Sequence, residues 1–437
     1  MHNSNINFFI LLFVSFIYVP LSIVSGLALA PLLVILGFVS IFNGQFSNGR
    51  FSFIKQAMNK NYNTFLFALF LLAFLTSLSS VNVDYSFVSL AKIGAVFLCG
   101  FAAIYNNKPL DENYKKILAM VFIAGYSLGI VIMSIELLSD GVLTKALRFI
   151  INQEEFTEYK THSLNRGACI LALSFWIFIA AINYLNINKK TYIAICYWFI
   201  LMFIMMVQDS SSAKLSFVFS SLVFSFFLIS RCKFLRLYII LFLLFILLLP
   251  LFFLAVPAKV IYNDFPNMPD SMVHRMVIWN FSMQKMYEKH YLGWGFNASR
   301  YIPGALEPVK AIINEERMWK RMPNHPHNFA IQVGVELGIF GFLFLIAYIT
   351  VFMHSVRIYE KNLFRKNVQI TIVTSYLIIS FFAFSIWQEW WISSAFIVAT
   401  IYSAIFRKQS NIGDTENVEE DAKKAIDESK NSKENSK

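Results

Sequence analysis

The sequence predicts an all-α polytopic membrane protein, with about twelve transmembrane helices and one large loop between the ninth and tenth. Three observations carry that prediction. Hydrophobic residues make up 57% of the 437 and charged residues only 14%, more apolar surface than a soluble core hides. Apolar windows of about 20 residues, the length that crosses a bilayer, recur twelve times. Basic residues then fall on alternate loops.

The spans run approximately over 6–24, 27–43, 62–79, 85–106, 115–138, 165–185, 191–207, 213–230, 234–256, 328–353, 367–386 and 388–406. The "ALA" at 28–30 resembles a signal-peptide cleavage site, but no basic segment precedes the apolar run and the run continues to Phe42. Two uncleaved spans are therefore expected. With the N-terminus inside, the even-numbered loops carry Arg50, Lys55 and Lys60, then Lys108, Lys115 and Lys116, Lys189 and Lys190, Arg231, Lys233 and Arg236, and Arg357 to Lys366. The short odd-numbered loops "SSVNV" (79–83) and "IWQEWW" (386–391) hold no Lys or Arg. Both termini are thus expected on the cytoplasmic side. The net charge of +11 is mainly this anchoring pattern, so no nucleic-acid partner is expected. Cys99, Cys169, Cys196 and Cys232 lie in or beside spans without paired spacing, and neither a zinc site nor a disulfide framework is indicated.

The expected membrane domain covers 1–408; residues 409–437 mix both charge signs with almost nothing apolar and read as a disordered cytoplasmic tail. Two longer segments fall on the external side, about 139–164 and about 257–327. In the second, "PDSMVHRMVIWNFSMQKMYEKH" predicts a helix: Pro269 and Asp270 start it, Met272, Met276, Trp279, Met283 and Met286 recur at helical spacing, and Gly293 and Gly295 end it. Arg275 and Trp279 share a face, close enough for the guanidinium to approach the indole. Two readings of Arg275 stand: snorkelling from an amphipathic helix on the bilayer, or binding phosphate with its fork of donors. Arg166 and Lys214 at external mouths of spans favour the second, because the positive-inside rule disfavours such positions. Arg300, Arg317, Lys320 and Arg321 read as solvated surface residues. Lys92 lies about 12 Å along the fourth span at 1.5 Å per residue, either as a functional group or paired with a neighbouring span.

The most informative stretch is "RMPNHPHNFAIQVGVELGIFG" at 321–341. Pro323 and Pro326 keep the chain extended, so His325 and His327 project to one side. Asn328 is a favourable N-cap, and Gln332 and Glu336 continue its face at i+4 and i+8. Gly334, Gly338 and Gly341 suit close helix packing. The histidines are open to three readings: a general base near neutral pH, a metal site weakened by the lack of further ligands, or interfacial hydrogen bonding at a helix cap. Glu336 suits either orienting a site or pairing with an intramembrane cation such as Lys92.

"HRMVIWNFSMQKMYEKHYLGWGF" followed about thirty residues later by "HPHNFAIQVGVELGIFG", with "LNRGACILAL", "SSSAKLSF" and "IWQEWW", resembles the O-antigen ligase family, whose fold O-antigen polymerases share. The resemblance spans roughly 60–406 and is most specific at "HPHN" and "ELGIFG". It implies metal-independent transfer of a glycan, without a cofactor, from undecaprenyl diphosphate to an acceptor hydroxyl of the lipid A core, on the outer face of the bacterial inner membrane. It also implies His327 as the base, with Arg275 and Arg166 on the diphosphate; His325 is the second catalytic candidate, behind His327 because His327 adjoins the helix cap. Where members usually carry Ser-Arg, this chain has Ala213-Lys214. Trp279 and Trp294 are expected to offer sugar-stacking surfaces, and Asn328, Gln332 and Glu336 to complete the binding edge. The rivals are a polymerase with the same donor and, from another class, a transporter of polysaccharide or lipid-linked oligosaccharide.

Overall fold

A computed structural model describes residues 2–43, 52–106, 109–152, 161–257, 260, 263–264, 267–310 and 318–407. The expected tail, Arg50, Lys108 and Arg317 lie outside the described residues.

Every predicted span coincides with a helix. Helix α1 (His2–Ser25) passes through a 3-10 turn at Gly26–Ala28 into α2 (Leu29–Asn43), and a short α3 (Ser52–Met58) precedes α4 (Asn61–Leu78) and α5 (Val83–Tyr105). There follow α6 (Glu112–Leu138), α7 (Val142–Asn152), α8 (Asn165–Leu185), α9 (Lys190–Val207), α10 (Ser211–Ser230) and α11 (Leu235–Ala255). The large loop folds into α12 (Asp270–Glu288) and a hairpin of β1 (Pro308–Lys310) with β2 (Met318–Lys320). The chain closes with α13 (Phe329–Tyr359), α14 (Leu363–Phe382) and α15 (Glu389–Phe406). Among the described residues ten segments are long and apolar enough to cross a membrane, the first holding both α1 and α2.

Helix α14 is not among those ten, and its packing explains why. Its buried face carries Asn367, Thr371, Thr374, Ser375 and Ser380. Ser216 of α10 bonds the Ser375 hydroxyl at 2.8 Å, Tyr238 meets Thr374 at 2.6 Å, and Asn367 donates to the Phe224 carbonyl at 2.9 Å. Polar interhelical bonds of this kind hold membrane helices together where lipid supplies no hydrophobic drive. At the other extreme, 83% of the apolar window of α8 is buried against 17% for α9, so α8 is the central column and α9 peripheral. Helix α7 is an element that hydropathy does not predict. Buried Glu136 caps it, accepting the Leu143 and Thr144 amides at 2.7 and 3.2 Å.

Helix α12 forms where predicted, with Pro269 at its N-cap and Met276, Trp279 and Met283 buried in one cluster with Ile331 and Val335 of α13. The stripe of Met and Trp is therefore a core.

The glycines of "ELGIFG" do more than let helices approach. Gly338 has φ +67 and ψ −164 and breaks α13. Segment 290–295 of the large loop fills the break: Trp294 and Gly295 donate their amides to the Val335 and Glu336 carbonyls at 2.9 and 3.0 Å, and the Ile339 amide donates to the His290 carbonyl at 2.8 Å. A Cβ on Gly338 would sit 2.1 Å from the Tyr291 carbonyl oxygen. Gly338→Ala should therefore cost about 2 kcal/mol or more, from backbone strain and clash together. Gly94→Ala, with nothing within 4 Å of the added atom, should stay within about 0.5 kcal/mol of the parent. Thermal denaturation in detergent compares them, and equal stability of the two variants would contradict this account of the break.

Candidate active site

The histidine pair sits where the large loop enters α13, and its conformation is fixed by hydrogen bonds from three directions. Trp279 Nε1 donates to the Pro326 carbonyl at 2.8 Å, anchoring the turn to α12. Asn328 caps α13, accepting the Ala330 and Ile331 amides at 3.0 and 3.1 Å. His327 takes a left-handed φ of 54, so the pair does not lie on an extended run as expected. The left-handed step still brings the two rings together, with centroids 4.2 Å apart. A histidine at positive φ is uncommon and needs surroundings that hold it.

The network also assigns the ring nitrogens. His327 Nδ1 lies 2.5 Å from the Ala383 carbonyl oxygen. A carbonyl only accepts, so Nδ1 carries the proton and Nε2 keeps its lone pair. His325 is arranged oppositely: its Nδ1 accepts the His327 amide at 3.1 Å, leaving Nε2 as the protonated nitrogen.

Both imidazoles are held neutral. Burial pushes the His327 pKa down to about 4; the Ala383 carbonyl opposes the shift, while the charges of Arg275 and His274 add to it. His325 is held well below the usual histidine range by burial, by its neighbour His327 and by Arg300. Each ring thus has an arginine in its field. Among the described residues neither Arg275 nor Arg300 has a carboxylate partner.

A cleft opens beside His325, lined also by Asn324, Tyr85, Ser89, Lys92, Asn297, Arg300, Ser385, Trp387, Gln388 and Glu389. Tyr85, Ser89 and Lys92 lie on one face of α5 at i, i+4 and i+7. Arg300, read from the sequence as a solvated surface residue, is the cation that sequence reasoning missed here, and Lys92, one of whose two expected roles was a functional group, lines the same cleft. The only usable signal was the helical spacing of Tyr85, Ser89 and Lys92; Arg300 has none, because the turn at 297–300 brings it in.

Of the residues singled out in the sequence, His325, His327 and Arg275 come together. Arg166 stands at the start of α8 with its guanidinium 5.7 Å from the Trp390 ring centre, and Trp390 in turn bonds Gln388 of the cleft wall at 3.0 Å. Lys214 is not brought in. Its ammonium donates to the Met206 carbonyl at 3.2 Å, in the last turn of α9, where a cation complements the helix end.

Five further residues need correction. Trp279 is 1% exposed and packs against Phe253 and Phe382, so it offers no face to a sugar. Asn328, Gln332 and Glu336 are fully buried and bonded to protein groups, which places them beneath the site instead of on its wall. Trp294 is likewise buried, its indole N–H on the Lys285 carbonyl at 2.8 Å. Glu336 does not pair with Lys92; its partners are the Asn297 and Ser299 amides, the Ser299 hydroxyl, Gln332 and Trp387. Among the described residues no three His, Cys, Asp or Glu side chains converge as a metal-binding set.

Residues 195–346 match a family model described as O-Antigen ligase, a span that contains Arg275, both histidines and Glu336. A protein of Rickettsia conorii named "Putative polysaccharide ligase" is 26% identical over 334 residues, 76% of this chain and 77% of its own. One so named from Rickettsia prowazekii is 24% identical over 417 residues, 91% of this chain and 98% of its own. No solved structure gives a significant match. The chain is thus similar to the O-antigen ligase family over residues 195–346 and to these relatives over three quarters or more of its length.

Proposed function

We propose that the chain transfers a glycan from a polyprenyl diphosphate carrier to a hydroxyl of a glycan acceptor, at the end of the helical bundle where the histidine pair lies. O-antigen ligase-like glycan transfer is the general activity that the family match and the relatives support. The finer reading assigns undecaprenyl diphosphate as carrier, the lipid A core as acceptor, and the external face of the bacterial inner membrane as the place, with both termini cytoplasmic. A histidine base beside a diphosphate-binding arginine is supported by one observation: His327 Nδ1 is bound to the Ala383 carbonyl, so the free Nε2 lone pair stands in the field of an arginine that has no acidic partner among the described residues.

The acceptor hydroxyl oxygen attacks the anomeric carbon of the donor sugar, and the bond from that carbon to the diphosphate oxygen breaks. The hydroxyl proton passes to His327 Nε2, and the diphosphate leaves with the bonding electron pair. Negative charge grows on the leaving oxygen, and a fixed cation in a water-poor site stabilises it. Arg275 takes that role, with Arg166, Arg300 and Lys92 as further cations at the same end.

The low proton affinity of His327 in the free protein has a consequence. A bound diphosphate offsets the Arg275 charge and raises the imidazole pKa. The base is therefore weakest without donor and strengthens as the donor binds.

Glycan transfer in vesicles tests the reading. His327→Ala should slow transfer about 100- to 10,000-fold, the usual contribution of a general base, while the amount of folded protein stays near the parent. Intact transfer in this variant would refute the assignment.

The pH profile gives a second test. The acid limb of kcat/KM reports the free enzyme and that of kcat the donor complex. A base must be neutral, so each limb falls as pH drops through the pKa of that state. The limb of kcat/KM should lie near pH 4, and that of kcat higher. A kcat limb at the same or lower pH would contradict strengthening of the base by donor.

A further inference from the structure

We propose that Glu336 is a positioning residue of this site: its carboxylate holds the turn bearing Arg300 and the 385–388 turn in register beside the histidine pair.

Glu336 does not face the cleft. It is fully buried one residue before Leu337 and the break at Gly338, and each of its oxygens receives donors from another part of the chain. Oε1 takes the Ser299 hydroxyl, the Ser299 amide at 3.4 Å and Gln332 Nε2 at 3.1 Å. Oε2 takes the Asn297 amide at 3.2 Å and the Trp387 indole N–H at 2.5 Å. A carboxylate has lone pairs on both oxygens and no hydrogen to place among these donors, which suits this shell; a carboxamide would turn an NH2 against one group of them.

Two cleft-forming turns therefore converge on one side chain. Arg300 follows Ser299 directly, and Asn297 and Arg300 both line the cleft. On the other side, Gln332 bridges Glu336 to Ser385 at 2.8 Å and accepts the Ile386 amide at 3.2 Å, so Ser385, Trp387 and Gln388 are fixed from the same centre. The first arm depends on the loop being threaded through the break in α13, because the Gly295 amide on the Glu336 carbonyl sets the register two residues before Asn297.

The kinetic part of this inference rests on the glycan-transfer reading, and the structural part does not. In the full-length protein in detergent, Glu336→Gln should speed hydrogen exchange at the Asn297 or Ser299 amide about tenfold, the effect of losing one buried hydrogen bond. Trp294 and Gly295, bonded to α13 carbonyls, should keep their protection. Ser299→Ala, a milder variant that leaves the carboxylate in place, should loosen the same turn to a smaller extent. In vesicles, Glu336→Gln and Arg300→Ala should each lower kcat/KM, and the double variant should lose less than the product of the single losses, because Glu336 acts partly through Arg300.

Unchanged exchange at both amides overturns the positioning role. Losses that multiply overturn the route through Arg300. A parent protein that transfers no glycan would refute the functional reading alone and leave the exchange result to judge the positioning.

Discussion

The architecture of the site depends on one piece of backbone pairing, the loop segment 290–295 laid into the gap that Gly338 opens in α13. Unpaired amides and carbonyls at membrane depth are costly, and irregular backbone survives there only when protein satisfies it. Here the carbonyls of Val335 and Glu336, freed by the break, take the Trp294 and Gly295 amides, and the Ile339 amide finds the His290 carbonyl. Close approach is needed for this, which explains glycine on both sides: Gly293 comes against Glu336, and Gly338 against Tyr291. Helix α5 and the turn before it complete the anchorage, since Ser86 bonds the Phe296 carbonyl at 2.7 Å, Asn297 bonds Ser89 at 3.0 Å, and the Val81 amide meets the Trp294 carbonyl at 3.1 Å. The base of a long loop is thereby held by hydrogen bonds to two helices, which restrains it.

That restraint matters because the chemistry proposed for the site is largely electrostatic. Preorganised charges stabilise a transition state without the cost of reorganising at the moment of reaction. Arg275 and Arg300 have no carboxylate partner among the described residues, and the imidazoles stay neutral beside them. A broken membrane helix is also a trait of transporters, where the break lines a substrate cavity near the midplane. In this chain the gap is filled by the protein's own loop, and the cleft lies beside it, towards the end of the bundle. That arrangement argues for chemistry at the membrane surface over passage through the membrane.

Much of the fold was legible in the sequence because hydropathy and loop charge report directly on lipid contact. The start of α12 at Asp270 and the cap at Asn328 were equally legible, since both are local backbone requirements. What escaped were the roles set by tertiary packing. A tryptophan in a candidate loop reads as a sugar platform or as core, and only the position of the Pro326 carbonyl decides that Trp279 is an anchor. Lys214 has the right charge at the right end, but its reach to Met206 depends on how α9 terminates. Arg300 and Lys92 are more than 200 residues apart by their numbering and share a cleft only once the loop is threaded. Gly338 looked like a packing glycine because a sequence does not show that a second strand of backbone occupies the gap.

The central claim is that the histidine pair and the arginines around it form the donor's diphosphate site. A structure of the full chain with a polyprenyl diphosphate-linked sugar bound tests it most directly. The account predicts diphosphate oxygens in ion-pair contact with Arg275 and the anomeric carbon turned towards His327 Nε2. A diphosphate bound away from both residues, with the sugar remote from the histidine pair, would contradict it.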